Sequence, residues 1–115
     1  MSSSRESVIR EILAEGLDDW VPIDRVIGGA RDSASSEGVT LRDAAAGLVR
    51  ALVDSGLMTP GDITEDGFGP WKGTHEQLTN QVIRQCDELG WEPLGAGCWL
   101  ANTPEGDRAA RRAAD

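Results

Sequence analysis

Histidine is almost missing from this chain: His75 stands alone in 115 residues. Cysteine occurs only at Cys86 and Cys98. No CxxC, HxxxH or HExxH spacing occurs, so a zinc centre has no ligand set to build from. A Cys/His catalytic pair has nothing behind it except the existence of those residues. GxSxG, Walker A and GxGxxG patterns are absent, and Gly28-Gly29 follows no buried strand of useful length. Apolar runs last only a few residues, which excludes a membrane-crossing helix. The stretch Met1–Glu6 has no apolar segment of the secretory type. A reducing, cytoplasmic setting is therefore expected. It favours two buried free thiols over a Cys86–Cys98 pair, and both readings stay open. Together these absences argue against an enzyme and call for no cofactor or metal.

Acid is what the chain has in excess. It carries 20 Asp and Glu against 11 Lys and Arg, for a net charge of −9. Phosphate contacts need Lys and Arg, so this balance argues against a general nucleic-acid binder. Apolar residues at 39% suffice for a modest core. The length fits one domain over 1–115, with a core at about 4–106 and a tail at 107–115 that is frayed or helical. One run, Asp62-Ile63-Thr64-Glu65-Asp66-Gly67, resembles the first half of a calcium loop. The loop needs a bidentate Glu at its twelfth position, and Gly73 stands there. A turn with Gly67 at positive φ accounts for the same letters.

Helical spacing dominates the rest. A first helix is expected from Ser4 to Glu15, with Ser3 and Glu6 at capping-box spacing and Val8, Ile9, Ile12 and Leu13 as its stripe. Trp20-Val21 reads as a short extended piece. A second helix covers about Pro22 to Ala34, with Ile23, Val26, Ile27 and Ala30 inward; Gly28 and Gly29 weaken it or allow close packing. A loop follows at 33–38. The third helix starts at the cap Thr40 and ends near Ser55-Gly56. A short strand at Leu57–Thr59 precedes a surface loop over 60–73. The fourth helix, Thr74–Leu89, has Thr74 and Gln77 at capping-box spacing. A strand at Ala96–Ala101 carries Cys98, Trp99 and Leu100. A helical turn or two closes the chain after Pro104.

This order predicts a mainly α chain with a small β-sheet, an α+β fold. Two stretches resemble the winged-helix family. In Leu48–Met58 a glycine closes the third helix and two apolar residues open a strand. In Cys98–Gly106 an aromatic-x-Leu strand exits through Thr103-Pro104-Glu105-Gly106. The resemblance implies a winged-helix-like domain with a helix-containing insertion between its two wing strands. The family's third helix usually reads the DNA major groove. Here that helix offers Arg42 and Arg50 beside Asp43 and Asp54, so DNA reading does not carry over with the fold.

The charge is unevenly spread. Residues 1–53 sum to −3, residues 54–107 to −8 and residues 108–115 to +2. The acidic block therefore coincides with the insertion. It reads either as a solvated surface or as a face that docks a basic partner. In the second reading Asp54, Asp62, Glu65, Asp66 and Glu76 supply charge, and Phe68 and Trp71 supply apolar anchors. For Trp71 the competing role is to fold back over the fourth helix. Trp20, Trp91 and Trp99 are expected at the core or its edge.

A composition rich in Ala, Gly, Asp and Arg, with Lys72 as the one lysine, resembles that of a high-GC actinobacterial chain. The overall character resembles small acidic immunity proteins encoded beside polymorphic toxins. That resemblance implies a non-enzymatic binding module, an immunity protein or antitoxin. Its partner would be a basic cognate toxin, met as monomer or homodimer. The alternative is a transcriptional regulator contacting DNA through Arg25, Arg31, Arg42 and Arg50.

Overall fold

The computed structural model describes residues 4–114. Five α-helices and four strands follow in the order α1 (Arg5–Gly16), β1 (Val21–Pro22), α2 (Ile23–Glu37), α3 (Leu41–Val49), β2 (Met58–Thr64), β3 (Gly67–Pro70), α4 (His75–Glu88), β4 (Trp99–Asn102) and α5 (Pro104–Ala114). The chain is thus α+β, mainly helical with one small sheet. All neighbouring strands are antiparallel, in the order β1-β4-β2-β3. The helices supply most of the core through their apolar stripes: Val8, Ile12 and Leu13, then Ile23, Val26 and Ile27, then Leu48 and Val49, then Leu78, Val82 and Ile83. Met58 and Leu100 close it from the sheet.

The caps are chemical and local. Ser4, Thr40 and Thr74 each accept the backbone N–H three residues on. Gln77 completes the capping box by accepting from the Thr74 N–H. Ser4 thus caps α1; the expected Ser3 lies outside the described residues. The two glycines of α2 divide the roles expected of them. A Cβ on Gly29 would strike Val8 of α1, whereas one on Gly28 would meet nothing within 4 Å. Beyond Ala34, α2 continues through the expected loop to Glu37 and stops at Gly38, φ +69. The third helix changes pitch: Arg50–Asp54 is π-helical. There the Leu57 N–H reaches back five residues to the Leu52 carbonyl.

The largest correction concerns residues 60–73. They are not a surface loop. β2 runs on to Thr64, turns through Glu65-Asp66 and returns as β3, pairing Gly61 with Pro70 and Ile63 with Phe68. Gly67 has φ +112, and the Thr64 hydroxyl accepts from the Asp66 N–H. Pro60 accepts the Trp71 N–H through its carbonyl, and its missing donor falls where the β3 ladder ends. A tight hairpin and α4 therefore both lie between the paired strands β2 and β4.

The tail is also more than a turn or two. Thr103 caps α5 by accepting the Gly106 N–H, while its hydroxyl donates to the Gly56 carbonyl. Ala110 is buried, and α5 packs on α1. A Cβ on Gly106 would collide with the Leu57 carbonyl oxygen, so glycine is required where α5 crosses the start of β2.

Candidate protein-docking face

Strand alternation decides which side chains share a face. Met58, Pro60 and Leu100 are buried on the inner side of the sheet. The outer side therefore receives Thr59, Gly61 and Ile63 of β2, Trp99 and Ala101 of β4, and Phe68 opposite Ile63. Trp20, just before β1, joins them: its ring centroid is 5.8 Å from that of Phe68, with the planes tilted by 34°. The Trp20 backbone N–H donates to the Asp19 carboxylate at 2.8 Å. A Cβ on Gly67 would lie 3.6 Å from the same indole. The ring thus spans from β1 to the hairpin tip.

Glycine shapes the middle of this face. A Cβ on Gly61 would strike the Phe68 ring and the Gly69 carbonyl. Phe68 can lie diagonally over β2 only because Gly61 has no side chain. The outcome is an apolar surface that is not closed off. Trp20 is 39% exposed and Ile63 43%. An aromatic pair of this kind contributes about 1 kcal/mol. Full burial of a ring contributes about 2 kcal/mol or more, and Trp20 leaves 39% of its surface for a partner to cover. Asp18, Asp19, Glu65 and Asp66, all exposed, border the aromatic pair through chain connectivity at its two ends.

The acids and aromatics expected to form one site separate here. Glu65 and Asp66 sit at the hairpin tip and Phe68 lies on the outer face. Asp62 points to the opposite face, where it accepts the Trp71 indole N–H at 2.9 Å. Trp71 is partly buried against the core, so it braces the hairpin and does not stand as a free anchor. Asp54 is exposed at the end of the π-helical segment and Glu76 in the first turn of α4. Those two elements meet, with His75 packed close to Gly56, away from the aromatic pair.

Trp20, Ile63 and Trp99 are the residues that the sequence reading missed as members of a site. Trp91 is buried as expected and Trp99 is half-buried, whereas Trp20 is exposed. The signal for Trp20 was its position beside Asp18-Asp19 and one residue before a strand too short to cover it.

The arginines that a DNA contact would use are partly committed elsewhere. Arg25 pairs with Glu15 at 2.8 Å and with Glu11 at 3.5 Å. Arg42 bonds both oxygens of Asp87, at 2.8 and 3.0 Å, and lies 5.9 Å from the Trp91 ring centroid. The hydrogen bond from Arg42 and then that from the Trp91 indole hold Asp87 below the usual carboxylate range. Cys86 and Cys98 are both free and buried. Burial pushes their thiols up to about 11 and about 12. Among the described residues no group of three His, Cys, Asp or Glu side chains is placed to hold a metal. No described helix is long and apolar enough to cross a membrane.

No family model matches the chain, and neither a curated protein nor a solved structure shows significant similarity to it.

Proposed function

We propose that the protein is a non-enzymatic binding module that docks a basic protein through the outer face of its sheet. The observation that carries this reading is the exposed Trp20 packed against the half-buried Phe68, extended by the exposed Ile63 and bordered by Asp18, Asp19, Glu65 and Asp66. Aromatic side chains at the centre and charge at the rim are the arrangement of an interface. Carboxylates beside exposed rings suit Arg and Lys side chains, which gain both an ion pair and a cation–π contact. The acidic immunity-protein character of the sequence suggests a cognate toxin as this partner, met in the cytoplasm.

The DNA-binding alternative draws less support. Arg25 and Arg42 are held by carboxylates of the same chain, and freeing them would leave Glu15 and Asp87 unpaired.

The test starts from the gene next door: if it encodes a toxin, its product is titrated with this protein, with growth rescue on co-expression as a second readout. A neighbour of another kind counts against a toxin partner. Glu65→Lys/Asp66→Lys should slow association about tenfold or more and flatten its salt dependence. Asp54→Lys/Glu76→Lys, away from the aromatic pair, should bind much as the wild type does. Equal loss in both double variants would speak for diffuse charge and against this face.

A further inference from the structure

The cleft between α2 and the α4–β4 connection has no part in the sheet face. Its volume is about 280 Å³, and Asp24, Ile27, Arg31, Trp91, Glu92 and Leu94 are among its lining residues. Small-molecule pockets start at about 300 Å³ and bury most of their ligand. This cleft encloses little, because Leu94 stands 89% exposed at its mouth. Leu94 also has φ +49, a left-handed conformation rare outside glycine. The connection is nevertheless held in place. The Trp91 N–H bonds the Cys86 carbonyl, Ala96 bonds Pro93, and the Gly95 N–H reaches the Asp24 carboxylate. A large apolar side chain is thus presented to solvent by a braced backbone, next to a hollow of matching character.

The adjoining face of α2 shows a second feature. Asp24, Gly28 and Arg31 share it by helical spacing. Gly28 lies in mid-helix, where glycine is unfavourable, and no contact within the chain requires it. Arg31 is exposed and has no acidic partner among the described residues. Positions 24 and 31 are placed symmetrically about the Ile27–Gly28 bond. If two such helices cross antiparallel at that bond, each Asp24 falls opposite the other's Arg31.

We propose that this face is an interface between two copies of the chain related by a two-fold axis. The α2 helices approach at Gly28, the Asp24 and Arg31 side chains pair across the axis, and Leu94 of each copy enters the cleft of the other. A two-fold contact must be complementary to itself, and this patch supplies both signs of charge and both knob and hollow. A chain of net charge −9 repels its own copy over most of its surface. Here Arg31 answers Asp24, so Glu92 is the one acid of the cleft left over, and the aromatic face stays free.

Sedimentation equilibrium of the full chain, from low to high micromolar concentration, tests this. The wild type should dimerise. Arg31→Asp and Leu94→Asp should each weaken the dimer at least about tenfold. The swap Asp24→Arg/Arg31→Asp should recover only part of the affinity lost in Arg31→Asp, since it also gives up the Gly95 bond to Asp24. Trp20→Ala should change nothing. Circular dichroism on each variant shows that the fold persists. Leu94 is exposed, so Leu94→Asp keeps the test open if an Asp24 variant unfolds. A monomer throughout would overturn the proposal, as would a dimer indifferent to Arg31 and Leu94 or one dissolved by Trp20→Ala.

Discussion

The Trp71 indole N–H donates to the Asp62 carboxylate at 2.9 Å, on the face of the β2–β3 hairpin opposite the Trp20–Phe68 pair. This bond ties β2 to the residue just past β3. Asp62→Ala should cost about 1 kcal/mol in urea unfolding. Asp62→Asn, which keeps an acceptor oxygen, should cost less. The summed tryptophan emission should shift, through Trp71, only in the alanine variant. Equal effects of the two substitutions would show that the bond does not brace the hairpin.

A second prediction follows from Asp87. Its pKa is held low by Arg42 and then by the Trp91 indole, so the charged form is the one that the fold favours. Asp87 therefore contributes stability above the ordinary carboxylate value of about 4, and this is lost as pH falls through its lowered folded value. The urea midpoint of the wild type should exceed that of Asp87→Asn at neutral pH. The two should converge on acidification below pH of about 4. A difference that persists unchanged in acid would assign the effect to shape and not to charge.

The thiols give a third. Burial pushes Cys86 to about 11 and Cys98 to about 12, so neither forms thiolate near neutral pH in the folded chain. A disulfide-exchange reagent should label neither cysteine in the native protein and both in denaturant. Labelling of one thiol in the native state within seconds would contradict the burial described here.

Gly106 supplies a fourth. Its Cα lies against the Leu57 backbone, which cannot yield as a flexible side chain would. Gly106→Ala should cost about 2 kcal/mol by forcing α5 off the start of β2. Gly28→Ala, with open space around it, should be neutral or stabilising by up to about 1 kcal/mol when measured on dilute protein. Thermal unfolding of the two variants checks this opposition of sign.

The helices were legible in the sequence because their stripes and caps are local. Thr40, Thr74 with Gln77, and the periodic run from Leu41 to Val53 act within a turn or two of the chain. The hairpin was not, because Pro60, Gly61, Gly67, Gly69 and Pro70 carry the composition of a loop. Gly67, Gly69 and Pro70 pair within the hairpin, and only Pro60 and Gly61 pair with β4, which enters the chain at Trp99. Gly61 is there to admit the Phe68 ring, and Pro60 sits where a ladder ends; both reasons are tertiary. The acidic excess was legible as a number and as a segment. Its division was not: alternation along β2 sends Asp62 to one face and Ile63 to the other, and this appears only when the segment is known to be a strand. Trp20 joined the site through a partner 48 positions away along the chain, Phe68, a distance no local pattern spans.

The most direct measurement is a calorimetric titration of the basic partner into wild type, Trp20→Ala/Phe68→Ala and Trp71→Phe. The docking account predicts that the Trp20/Phe68 variant binds at least about 30-fold more weakly, as removal of a central aromatic anchor does. It predicts near wild-type affinity for Trp71→Phe. Undiminished binding by the folded Trp20/Phe68 variant would contradict it.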